Sequence, residues 1–77
     1  MDKYIGRIYK HINPYGTVST LVFKVIKEAY QDILGYECVL FYAKDSSLQK
    51  GDRVYRNWDE LDRFEEITEE IALAYLI

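Results

Sequence analysis

The chain has 77 residues, of which 49% are apolar and 30% charged, with a formal charge of −3. That composition gives one globular domain, residues 1–77, and excludes a disordered segment or a second core. A single cysteine (Cys38) and a single histidine (His11) exclude an intrachain disulfide and any Cys/His-rich zinc site.

The charge is unevenly spread. Met1 to Lys27 carries five basic residues against one acidic, or +4, whereas Glu28 to Ile77 carries five basic against twelve acidic, or −7. No signal-peptide core follows Met1, and the longest apolar run, Ile71–Ile77, is far short of the ~20 residues that span a bilayer. The expectation is a cytoplasmic protein with no membrane partner.

In chain order, Lys3 to Ile12 is rich in β-formers and reads as a first strand. Asn13-Pro14-Tyr15-Gly16 reads as a β-turn, with proline presetting φ at its second position. Thr17 to Leu34 is ambiguous. Val18, Thr20, Val22 and Ile26 favour a strand, while Leu21, Val22, Val25, Ile26, Ala29 and Ile33 also fall on one helical stripe. The reading adopted is a strand over about 18–27, then a loose turn through Gln31–Gly35. Tyr36 to Lys44 is apolar on both faces, as a central strand is. A polar loop over Ser46–Asp52 leads to a short strand, Arg53–Arg56.

Asn57 then has the position of a helix N-cap, with Glu60 three residues on in the manner of a capping box. Beyond it, either a helix runs to the C-terminus or it stops near Phe64 and hands over to a final strand. The Ile71–Ile77 tail is apolar all round and must be covered by the core or by another chain. The fold expected is mainly β: a small SH3-like barrel of four to five antiparallel strands with a C-terminal helix or helical turn from Asn57. The alternative is α+β, an antiparallel sheet with a long C-terminal helix.

Three stretches carry a resemblance. Gly6-Arg7-Ile8-Tyr9-Lys10-His11 is similar to the Gly-x-Tyr-x-His opening of a short bacterial domain family of unknown function. Glu37-Cys38-Val39-Leu40-Phe41-Tyr42 resembles that family's apolar Tyr-containing strand, and Val54-Tyr55-Arg56-Asn57-Trp58-Asp59-Glu60-Leu61 its Trp-Val-Arg-Pro element. The chain has one extra residue between Gly6 and Tyr9, and Asn57 where the family has proline. The resemblance implies an SH3-like barrel with a helical turn after the fourth strand, and it carries no activity. The small, acidic, Tyr-rich chain also resembles phage accessory proteins.

Among the polar constellations, Arg53, Tyr55, Arg56 and Trp58 interleave cations with aromatic rings. That pattern suits stacking of a base beside a phosphate, or else an ordinary edge strand. Tyr4, Tyr9 and Tyr15 gather near the basic front, where tyrosines serve a contact surface or fill a core with their hydroxyls at the rim. Asp59, Asp62, Glu66 and Glu70 fall on one side of a continuous helix, an acidic face for a basic partner or a plain solvated face. His11 has no nucleophile placed beside it, so no catalytic role is read for it, and Cys38 reads as a small buried hydrophobe.

The leading functional expectation is a non-enzymatic interaction protein, phage-encoded, that binds and inhibits a host protein. Its surface comprises Tyr4, Tyr9, Tyr15, Asp59, Asp62, Glu66 and Glu70. The second is an oligomer, assembled through Ile71–Ile77, that sequesters a small anionic ligand such as a nucleotide on Arg53, Tyr55, Arg56 and Trp58. The third is a structural subunit of a larger assembly. No cofactor and no metal are expected, and a net negative charge argues against broad nucleic-acid binding.

Overall fold

The computed structural model describes residues 3–13, 19–31 and 33–76. These form β1 (Ile8–Asn13), β2 (Ser19–Gln31), β3 (Ile33–Lys44), β4 (Arg53–Asn57), α1 (Trp58–Arg63), β5 (Glu65–Ile67) and α2 (Glu69–Leu76). All the strand pairs are antiparallel, in one sheet of order β4-β3-β2-β1-β5. The fold is therefore mainly β. A four-stranded meander followed by a helical crossover that returns a fifth strand to β1 is the connectivity expected of a small SH3-like barrel.

The first strand begins later than the sequence suggests. Arg7 donates its backbone N–H to the Tyr4 carbonyl at 3.0 Å, closing a turn in which Gly6 takes φ 90°. Only glycine adopts that conformation without strain, so Gly6 starts the domain as a turn rather than as strand. The Asn13–Gly16 turn lies outside the described residues apart from Asn13, which ends β1. The strand–helix ambiguity after it resolves to strand. β2 runs on to Gln31 and β3 begins at Ile33, so the described residues of Gln31–Gly35 are strand rather than a loose turn. β-Branched residues and long-range pairing override the helical stripe.

Two irregularities bend this long hairpin. Val22 pairs with Tyr42 but Phe23 with Leu40, leaving Phe41 as an extra residue on β3. Val25 pairs with Cys38 but Lys27 with Glu37, leaving Ile26 extra on β2. Such bulges increase twist and curl a sheet. The concave side holds the main core: Tyr4, Tyr9, Leu21, Phe23, Val25, Tyr36, Cys38, Leu40, Val54 and Leu61. α1 closes its lower end through Leu61, which is 1% exposed. The convex side carries a smaller core of Ile8, Val22, Ile67 and Ala72, under α2. β3 is thus covered on both faces, as its sequence requires.

Gly35 lies beneath the Tyr55 ring: a Cβ there would stand 2.3 Å from it. The Tyr55 hydroxyl donates to the Ile33 carbonyl at 2.8 Å, which holds the ring across the strand. The C-terminal third follows the second of the two arrangements expected, a helix that stops near Phe64 and hands over to a strand, with a further helix after it. Asn57 caps α1 as anticipated: its side chain accepts the Glu60 N–H at 2.8 Å, and Glu60 accepts the Asn57 N–H at 3.0 Å. α1 ends at Arg63 and β5 follows at once; the addition to the expected arrangement is the second helix. Thr68 starts α2 by accepting the Ile71 N–H on its hydroxyl at 3.2 Å.

Candidate functional site

The residues proposed as a partner surface separate into three groups. Tyr4 and Tyr9 are 6% and 3% exposed and belong to the core, which corrects the expectation that they present their rings to a partner. Ring packing explains their burial: Tyr4 lies 5.2 Å from Tyr36, and Tyr9 6.1 Å from Phe23. Tyr4 keeps its hydroxyl at the rim, where it donates to the Asp62 carboxylate. That hydrogen bond, followed by burial, pushes the Tyr4 pKa up to about 12. Tyr15 lies outside the described residues.

The acidic residues are exposed, but they do not share one helix. Asp59 and Asp62 are on α1, Glu66 is on β5, and Glu70 is on α2. Asp59 pairs with Arg63 at 3.5 Å, and Glu66 with Arg7 at 3.5 Å. Glu69 and Glu70 form no ion pair among the described residues. They open α2, where carboxylates favour the positive end of the helix dipole.

α2 is two-faced. Ala72 is fully buried on the sheet, where its small side chain allows close approach. Tyr75 packs beside Tyr42, with ring centroids 5.0 Å apart. Ile71 and Leu73, each about 100° round the helix from Ala72 and so on its two flanks, are 50% and 51% exposed. Among the described residues of the apolar tail, 71–76, the domain therefore covers only a part.

Strand alternation also divides the residues proposed for an anionic ligand. Arg53 and Tyr55 lie on the side of β4 away from the core and line a shallow cleft with Ala29, Gln31, Glu37 and Val54. Arg53 is paired there with Glu37 at 3.3 Å. Arg56 sits opposite buried Tyr36, on the concave side, and Trp58 is exposed at the start of α1. The four do not form one pocket.

A different cleft, of about 340 Å³, opens at the rim of the concave side, lined by His11, Glu60, Arg63 and Phe64. β1 alternation places His11 two residues after core-facing Tyr9. Phe64, at the end of α1, stacks on its ring at a centroid distance of 4.3 Å and an interplanar angle of 19°. Burial, and then the Arg56 charge, lower the His11 pKa and favour the neutral imidazole. Strand alternation puts His11 on the same face as Tyr9, but that this face is the core, and that Phe64 joins it, follow only from tertiary folding. Cys38 is fully buried, and burial pushes its thiol up to about 12, in keeping with a hydrophobic role. Comparisons with known protein families, with curated proteins and with solved structures find no match.

Proposed function

We propose that this chain is a non-enzymatic interaction domain whose C-terminal face docks on a basic surface of another protein and inhibits that protein by occupying it. The observation that carries this reading is the composition of the outer side of α2. Ile71 and Leu73 are large apolar side chains left exposed on the two flanks of the helix. The carboxylates of Glu65, Glu66, Glu69 and Glu70 are exposed on the neighbouring stretch of chain. An apolar patch with a polar rim is the usual anatomy of a protein contact. A rim of one charge sign selects partners of the opposite sign and speeds encounter.

The test uses affinity capture from extracts of the source organism with the intact domain as bait. Glu69→Lys with Glu70→Lys, and separately Leu73→Glu, are expected to lose a co-purifying partner that Lys50→Glu retains, with circular dichroism unchanged in all three. A partner retained by both α2 variants rules the reading out. Light scattering of the wild type and of Leu73→Glu identifies the competing outcome, self-association through the same helix. A dimer that Leu73→Glu converts to monomer makes the patch an assembly surface instead.

A further inference from the structure

β4 lies at one end of the sheet and pairs only with β3 among the described residues. Its register decides which backbone groups stay open. Leu40 donates its N–H to the Asp52 carbonyl at 2.9 Å, and the Cys38–Val54 and Tyr36–Arg56 pairs continue that pattern in steps of two. An antiparallel strand bonds to a given neighbour through every second residue. Asp52, Val54 and Arg56 therefore face β3, and Arg53, Tyr55 and Asn57 turn their N–H and C=O groups to the open edge.

Side chains of the same domain already hold part of that edge. Glu60 accepts the Asn57 N–H at 3.0 Å within the capping box, and Arg56 Nη1 donates to the Tyr55 carbonyl at 2.7 Å. The first contact is built into the start of α1. The second is exchangeable. Arg56 forms no ion pair among the described residues, so a carboxylate brought within reach offers its guanidinium an ionised acceptor in place of a neutral one. Asp52 is exposed and, by alternation, on the same side of the strand as Arg56. Its Oδ2 accepts the Gln49 N–H at 2.9 Å, and its Oδ1 forms no hydrogen bond among the described residues.

We propose that β4 is a pairing edge for a second copy of this chain, joined antiparallel about a two-fold axis at Val54, with Arg56 as its latch. In that register Arg53 of each copy lies across from Tyr55 of the other, and each such pair exchanges both of its N–H and C=O bonds, four in all. Arg56 of each copy faces Asp52 of the other on the concave side. By turning to that carboxylate it releases the Tyr55 carbonyl for the incoming Arg53 N–H. Charges on an edge ordinarily keep strands apart, but here no like charges stand opposite one another across the join. The neighbouring registers lack these matches. Centring on Tyr55 needs the Asn57 N–H, which Glu60 holds. Centring on Arg53 sets Arg56 against Lys50, and Tyr55 against Gly51, whose N–H already bonds to the Leu40 carbonyl at 2.8 Å. The join uses no residue of α2, so it stands or falls separately from the docking face.

The experiment is sedimentation velocity on the intact domain at concentrations up to about 1 mM, the weak end of specific association. A mass approaching twice the 9.2 kDa of one chain is expected, with amide exchange at Arg53 and Tyr55 slowing as concentration rises. Arg53→Pro removes an outward N–H at a position where an edge strand tolerates proline. It is expected to weaken dimerisation about tenfold or more, for one hydrogen bond lost on each side of the axis, while Arg53→Ala, which loses only the exposed Glu37 pair, stays dimeric. Arg56→Asp sets two acids face to face and is expected to give monomer, and adding Asp52→Arg to it restores the dimer. A single-chain mass throughout overturns the proposal. So does a dimer that natively folded Arg53→Pro or Arg56→Asp leaves unchanged, or one that Leu73→Glu dissolves. If those β4 variants fail to fold, exchange in the wild type decides: Arg53 and Tyr55 amides whose rates do not change with concentration overturn the proposal.

Discussion

His11 shows how much of a residue's behaviour is decided by neighbours that are distant in sequence. Its place on the same strand face as Tyr9 follows from alternation and was legible; that this face is the core, the Phe64 ring stacked on it and the Arg56 charge acting on it were not. Both burial and Arg56 lower its pKa below the ordinary 6.5, with Glu60 as a weaker opposing influence. The folded state therefore favours the neutral ring. Its contribution to stability is complete above pH 6.5 and is lost as pH falls below that value, toward the lower folded pKa. Urea midpoints compared at about pH 7.5 and about pH 5 should drop more for the wild type than for His11→Gln, after the carboxylate background common to both. An equal drop in the two proteins would show that His11 is not held neutral. Tyr4 and Tyr9 teach the opposite lesson: a tyrosine fits a binding surface and a core rim equally well, and only the curl of the sheet decided for the core.

At the level of elements, legibility follows the range of the interactions that make each one. The α1 start needs only Asn57 and Glu60, three residues apart, and the sequence announces it. Asn57→Ala removes a side-chain acceptor from the first turn and should cost about 1 kcal/mol in a urea unfolding curve, with the slope unchanged. Loss of less than a few tenths would mean that the β4 pairing of Asn57 alone positions the helix. β5 is the contrary case. Glu65-Glu66-Ile67 has no strand signal of its own and becomes a strand because Ile8, Tyr9 and Lys10 pair with it. The two bulges are equally silent in the sequence, since each is fixed by which cross-strand partners fit the concave core.

For the molecule as a whole, the charge asymmetry takes on a spatial meaning. The acidic stretch forms α1, β5 and the start of α2, laid along the free edge of β1 and across the convex side of the sheet. Its counter-charges come from the basic front, through the Arg7–Glu66 pair and the Lys10–Glu65 register. The front and back halves of the charge distribution are therefore adjacent in space. Glu69 and Glu70, at the end of the run beside exposed apolar residues of α2, form no ion pair among the described residues. Composition located the excess charge; only the topology shows where it lies in space.

The pairing of Ile8 with Ile67 has a further consequence for the order of assembly. The β2–β3 hairpin joins residues close in sequence and closes small loops, whereas β5 must find β1 across nearly the entire chain. The entropy of closing so large a loop is lost before that contact gives any return. The meander should form early, with β5 and α2 the last to dock and the first to detach. Amide hydrogen exchange should accordingly be faster in α2 than in the central strands, through a sub-global opening that leaves the hairpin intact. Equal protection would indicate a single cooperative unit. The same opening uncovers Ala72 and Tyr75, so the helix proposed to meet a partner is also the part of the domain that most readily changes its place.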